Sequence, residues 1–239
     1  MCGIVGVCDR MEPQQARHVL SSMLSTMKAR GPDGVGQFVD THIAMGMRRL
    51  AVIYVEGCGQ PLLSRDGQIV AFQNGEIYNH AALRKELTQS GVEFRTASDT
   101  EVLAHGYDHW GMDGLLARLD GMYAIAILDR RNQRLHLARD RFGEKPLYYS
   151  AAGGKFAYSS NTTALAWLPW VDHDIDAGSV DRYLALHYVP GRRTIFKGIH
   201  RVLPGERLTI SLDSLLITHE QYYRPALGPI ETVDTSTLV

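Results

Sequence analysis

Residues 122–140, MYAIAILDRRNQRLHLARD, read as strand, charged turn, strand. A connection this short makes its strands antiparallel neighbours, because a parallel pair needs a crossover of about a dozen residues or more. The same unit recurs on the C-terminal side. Residues 146–161, PLYYSAAGGKFAYSSN, place Gly153-Gly154 between two strand-like runs, and 207–223, RLTISLDSLLITHEQYY, form a last hairpin. On the N-terminal side, 2–9 (CGIVGVCD), 42–53 (HIAMGMRRLAVI) and 68–77 (QIVAFQNGEI) read as strands. The third is expected to break at Asn74-Gly75, a dipeptide that marks turns, and 31–36 (GPDGVG) reads as a glycine-rich loop.

Helical spacing lies between these strands. Residues 13–30 carry Pro13 in a first turn and Val19, Leu20, Met23 and Met27 along one face. Residues 79–91 stop at Gly91, and 98–111 open on a Ser98–Glu101 capping box and end on Gly111. Residues 179–189 read as a further helix. Hairpins with helices between them do not follow the βαβα alternation of a parallel sheet. They predict an α+β domain of antiparallel sheets with helices stacked outside. The tail 224–239 is polar, without periodicity, and reads as a linker.

The chain has 239 residues, enough for one large domain or a domain with an appendage. Its 45% hydrophobic and 21% charged content are ordinary globular values. A net charge of −1 with no basic stripe speaks against nucleic acid. Apolar runs are strand-length, short of the ~20 residues of a membrane helix, no signal-like core appears, and Cys2 does not fit N-myristoylation. Three cysteines, Cys2, Cys8 and Cys58, make no disulfide framework, so a reducing cytoplasm is the expected location. His105 and His109 have zinc-like spacing, but no Glu follows His105 and no third ligand is evident; a solvated helix face and no metal site are expected.

Cys2 raises the question of chemistry. If Met1 is removed, one residue carries a thiol of pKa about 8.5 and an α-amine of about 7.7–8.0, so the amine can take the thiol's proton. On Cys2 alone, a small inert thiol in a buried strand is the plainer reading. Cys8 shares its face by parity and reads as core. A thiolate attacking a carbonyl needs donors aimed at the oxyanion. Asn74 offers an amide NH2 and Gly75 a backbone N–H, though an ordinary Asn-Gly turn accounts for the pair equally. Arg49, read at a strand start in MRRLAVI, suits a carboxylate or a surface salt bridge. Glu76 and Asp99 suit an ammonium, or a solvated charge and a helix N-cap. Together these groups describe an amino acid with a side-chain amide.

The ordered motifs MCGIVGV, RGPDGVG, RRLAVI, GQPL, NGEIYNH, SDTE, LDGMYAIAILD and ARDRFGEKPLYY resemble the glutaminase domain of asparagine synthetases. That domain is a class II glutamine amidotransferase of the N-terminal nucleophile type. The resemblance runs from Cys2 to about Leu208, and 188–206 (YVPGRRTIFKGIHRVLPGE) resembles the segment leading toward the partner domain. It implies a four-layer αββα sandwich of two antiparallel sheets, the N-terminal nucleophile hydrolase fold. It implies glutamine hydrolysis through a γ-glutamyl thioester on Cys2, with Asn74 and Gly75 as oxyanion hole. It gives Arg49 the substrate carboxylate, with the backbone of Val52 and Ile53 lining the pocket, and Glu76 and Asp99 the α-amino end. Met47 stands where many relatives carry His, and Tyr54 where an acidic residue is usual; tuning rather than loss is expected.

The implied organisation is an amidotransferase domain at 2–210 and, at 211–239, a hairpin and linker toward a synthetase domain. No SGGxDS-type pyrophosphate loop occurs, and SAAGGKF reads as a hairpin turn rather than a phosphate loop. No cofactor is expected in this chain; ATP and Mg belong to the synthetase domain or partner. The expected function is ammonia supply for asparagine synthesis from aspartate, with glutamine as substrate, a synthetase domain or subunit as partner, and homodimerisation open. The alternatives are an assembly module inactive without a partner chain, or a glutaminase feeding another amidation.

Overall fold

The two halves of 122–140 form a hairpin, paired from Ala124 opposite Arg139 to Asp129 opposite Arg134. Its turn is held by Asp129, whose carboxylate accepts from the Asn132 amide at 3.0 Å and from Asn132 Nδ2 at 2.8 Å. The computed structural model describes residues 2–51 and 59–226. In chain order its elements are β1 (Gly3–Cys8), α1 (Pro13–Ser25), β2 (Gly34–Val39), β3 (Ile43–Arg49), β4 (Leu62–Leu63) and β5 (Ile69–Ile77). Then come α2 (His80–Gln89), α3 (Thr100–Arg118), β6 (Gly121–Asp129), β7 (Arg134–Arg139), β8 (Tyr148–Ala152) and β9 (Lys155–Ser159). The last are α4 (Thr162–Ala166), α5 (Ala177–Leu186), β10 (His200–Arg201), β11 (Glu206–Ser211) and β12 (Ile217–Gln221).

Among the described residues the strands make two six-stranded sheets, ordered β10-β8-β9-β1-β3-β2 and β12-β11-β7-β6-β5-β4. Every pairing is antiparallel. Strand parity sorts the side chains into three apolar layers. Ile4 and Cys8 of β1 meet Val70 and Phe72 of β5 between the sheets. Val5 and Val7 face α1 and α4, packing on Leu20, Met23, Leu24 and Leu165. Ile69, Ala71 and Ile77 face α2 and α3, packing on Leu83, Leu87, Val102 and Leu115. This is the αββα sandwich expected. It also explains why β1 is buried at every position: it is covered on both faces. Each fully buried Leu or Ile in these layers contributes about 1.5–3 kcal/mol through burial.

Helix starts and stops agree with their signals in part. Pro13 opens α1, and Asn79 precedes α2, which ends before Gly91. The Ser98–Glu101 capping box does not form. The Glu101 carboxylate turns back to accept from the Arg95 amide at 2.7 Å and the Thr96 amide at 2.8 Å. Burial would raise the Glu101 pKa, but these amide bonds and the Thr96 hydroxyl outweigh it, and the pKa is lowered. Gly111 ends the first helical run of α3 with φ 68°, and a second run follows to Arg118.

Three further expectations are corrected. Asn74-Gly75 is no turn: β5 runs through it, paired to β6 from Ile69 to Ile77. Residues 34–39, read as loop and unassigned chain, form the edge strand β2; its glycines hid the strand pattern. His105 is not on a solvated face: it is buried, 3.4 Å from Glu101 and edge-on to Phe94. The expected boundary at 210/211 falls at the end of β11, whose pairing with β12 completes the second sheet. Helix α5 stands apart. Ser179 is its one buried residue, while Tyr183, Leu184, Leu186 and the following Tyr188 are 50–72% exposed.

Candidate active site

Cys2 lies one residue before β1, half-buried at the edge of the layer between the sheets. Its Sγ is cradled by one backbone residue of the neighbouring strand's end. The thiol donates to the Leu50 carbonyl at 3.5 Å and accepts from the Leu50 amide at 3.4 Å. Arg30 closes the cradle from the helical side, its Nε donating to the Cys2 carbonyl at 2.7 Å. Arg30 Nη2 is buried without a hydrogen-bond partner. Burial pulls the Arg30 pKa below its ordinary value, and proximity to Cys2 acts the other way. A cation thus stands beside the residue that carries the thiol.

The segment Arg30–Gly34 explains the position of Leu50. At Gly31 a β-carbon would stand 2.5 Å from the Arg48 carbonyl carbon, so only glycine lets the two backbones meet. Asp33 then pins the strand end from both directions. Its amide donates to the Arg49 carbonyl at 2.9 Å, and its carboxylate accepts from the Ala51 amide at 2.8 Å. The glycine-rich loop is therefore a clamp on residues 48–51. It places Arg49 beside the residue that holds the thiol. Val52 and Ile53, expected to line the pocket, lie outside the described residues, as do Tyr54 and Cys58.

The other candidates come from β5 and the start of α3. Asn74 is buried with its side chain toward the space between the sheets, where Nδ2 lies 3.4 Å from Ser160 Oγ. Ser160 Oγ in turn accepts from the Ile4 amide at 3.0 Å. A short polar chain therefore joins β1, two residues after Cys2, to Asn74 in the opposite sheet. Gly75 follows with φ 147°, and a β-carbon there would stand 2.0 Å from the Met122 carbonyl. Glu76 is half-buried on the same strand as Asn74. Asp99 occupies the N-cap position of α3 but caps nothing with its side chain. Its Oδ2 accepts instead from Ile77 N at 2.9 Å and from Gln73 Nε2 at 3.0 Å. Gln73 is itself fixed by Gln60, whose Oε1 accepts from Gln73 N at 2.7 Å and whose Nε2 donates to Gln73 O at 3.2 Å. So Asp99 is fastened to the strand that carries Asn74, Gly75 and Glu76.

The β1 start, the β3 end, the second half of β5 and the start of α3 thus meet at one end of the sandwich. Arg30, Leu50, Gln60, Asp33 and Ser160 were not singled out by residue type. Each acts through a backbone contact or a single hydroxyl, for which the sequence holds no spacing rule. Among the described residues no group of three His, Cys, Asp or Glu side chains is placed to hold a metal, and no helix is long and apolar enough to cross a membrane.

Comparison with known proteins bears out the resemblance read in the sequence. A chain of Bacillus subtilis strain 168 named glutamine-hydrolyzing asparagine synthetase 1 is 36% identical over 235 residues, covering 97% of this chain and 37% of the relative. A putative glutamine-hydrolyzing asparagine synthetase of Mycobacterium tuberculosis H37Rv is 34% identical, covering 92% of this chain and 36% of the relative. The chain spans about a third of the length of these curated relatives. In fold it is similar to the glutamine phosphoribosylpyrophosphate amidotransferase of B. subtilis, with TM-score 0.67 at 22% identity over 94% of this chain and 50% of that one. A structure described as the allosteric regulatory enzyme of purine biosynthesis gives TM-score 0.69 at 23% identity, with the same coverage. The family profile described as glutamine amidotransferase domain matches residues 1–223. A match of that extent makes the chain a member of the glutamine amidotransferase domain family, and so an enzyme of the glutamine amidotransferase type.

Proposed function

We propose that this chain hydrolyses glutamine to glutamate and ammonia through a thioester on Cys2. Once Met1 is removed, the Cys2 α-amine takes the thiol proton and the thiolate attacks the glutamine δ-carbon. The carbonyl becomes an oxyanion, met by Asn74 Nδ2 and the Gly75 amide. The C–N bond then breaks, and the nitrogen leaves as ammonia with the proton the amine held. Water attacks the thioester, the thiol is restored, and glutamate departs. Arg49 takes the substrate α-carboxylate; Glu76 and Asp99 take its ammonium. Arg30 holds the Cys2 carbonyl and lends positive charge.

The observation that carries this reading is the seat of Cys2. Its sulfur is hydrogen-bonded on both sides by Leu50, and its strand is tied through Ser160 to Asn74. A merely structural thiol needs no such backbone seat, and among the described residues the Cys8 sulfur, on the same strand, has none: burial raises its pKa far above the ordinary value. Glutamate release compared between the native chain and Cys2→Ala tests the reading.

The relatives' names support ammonia use in making asparagine from aspartate. ATP and Mg would then be handled by a synthetase portion outside these residues. In that reading the bare apolar residues of α5 are the surface such a portion covers.

A further inference from the structure

Ser160 directly follows β9 and is 1% exposed. Its amide donates to the Ile4 carbonyl at 2.9 Å, and the Ile4 amide donates back to Ser160 Oγ at 3.0 Å. The same oxygen accepts from Asn74 Nδ2 at 3.4 Å. One hydroxyl therefore spans the two sheets, with the nucleophile's strand on one side and the oxyanion amide on the other.

The chemistry of a primary amide makes this contact consequential. Asn74 has two N–H bonds. When one is committed to an oxyanion, the other must find an acceptor or stay unpaired in a buried site. Ser160 Oγ is that acceptor. Its other accepted bond, from Ile4, fixes where it stands relative to Cys2. The 3.4 Å separation is long for an N–H···O bond, whose usual range centres near 2.9–3.0 Å. A bond that is loose at rest and tightens as charge develops contributes to the transition state rather than to the bound ground state.

We infer that Ser160 is a positioning residue of the oxyanion hole, holding the Asn74 amide in register with Cys2. The inference rests on the Cys2 glutaminase reading. Ser160 does not touch substrate; it acts through Asn74.

The test is a cycle of Ser160→Ala, Asn74→Ala and the double variant, each assayed for glutamate release. Ser160→Ala is expected to lower kcat by about 10-fold with KM within about twofold, a fraction of what losing a donor outright costs. In the Asn74→Ala background the same change is expected to cost less than about twofold, because the amide it positions is gone. Alkylation of Cys2 by iodoacetamide, which builds no oxyanion, is expected to keep its rate within about twofold. A γ-aldehyde analogue of glutamine forms a hemithioacetal without turnover; it is expected to bind about 10-fold more weakly to Ser160→Ala. Ser160→Cys, which fills the space with a poorer acceptor, is expected to lose kcat in the same direction.

An equal loss in both backgrounds overturns the inference, as does a parallel fall in alkylation rate. So does wild-type kcat in Ser160→Cys. Glutamate release that survives Cys2→Ala instead removes the glutaminase reading itself, and the two failures are told apart by that one control.

Discussion

At the scale of single residues, the Cys2 thiol is held by backbone, and the residue that carries it is faced by a half-buried cation. Arg30 is tied to the Cys2 carbonyl and leaves Nη2 without a partner in a buried place. Replacing it with Met keeps the apolar stem and removes the charge. Arg30→Met is therefore expected to slow both glutamate release and iodoacetamide alkylation of Cys2, by about 10-fold or more, since both depend on the thiolate. Alkylation monitored by mass at several pH values measures this directly. Unchanged alkylation would mean that Arg30 only braces the chain. Asn74→Ala should differ in kind, cutting turnover by about 100-fold or more while leaving alkylation intact.

At the scale of elements the positions with least side chain carry the tightest constraint. Gly75 sits inside β5 with φ 147° and the Met122 carbonyl where a β-carbon would stand. Gly75→Ala must therefore push β5 off β6 at the end that carries Asn74 and Glu76. We expect a loss of roughly 2–4 kcal/mol in unfolding free energy, measured by urea titration, together with loss of glutaminase activity. Helix α5 gives the opposite expectation. With Leu184 at 72% and Leu186 at 50% exposure, changing both to Ser should shift unfolding by less than about 0.5 kcal/mol each. Leu20→Ala in α1, fully buried, should cost about 2–5 kcal/mol. A large loss from the α5 pair would show that this helix is packed after all. The same contrast bears on what the sequence discloses. Hairpins and the helix starts at Pro13 and Asn79 were legible because each has a local signature. Asn-Gly misled, since the dipeptide that favours a turn also suits a strand crowded by its neighbour's backbone. The buried Glu101–His105 pair was invisible, because only tertiary packing brings the loop amides of Arg95 and Thr96 to that carboxylate. Ser160 was invisible for the same reason: its two partners come from different sheets.

At the scale of the whole molecule, stability has a titrating group of its own, far from Cys2 in the sequence. His136 is buried between Tyr107 Oη and Thr209 Oγ1, each at 3.1 Å. Burial, aided by Arg207, lowers its pKa to about 4 from an ordinary 6.5. Between those values the unfolded chain binds the proton and the folded chain does not. Stability from this group is thus present above pH 6.5 and lost as pH falls toward 4, by roughly 3 kcal/mol in all. Urea unfolding at pH 7 and pH 4.5 should show that decline, and His136→Gln should flatten it. The glutaminase reading stands on the chemistry of Cys2 at the meeting of the two sheets. It is tested most directly by glutamate release from glutamine, read beside the intact mass of the same chain and repeated with Cys2→Ala. The expected result is a mass lacking Met1, glutamate and ammonia in equal amounts, and a fall of about 1,000-fold or more in the variant. Turnover that persists in Cys2→Ala, or in a chain that retains Met1, would contradict it.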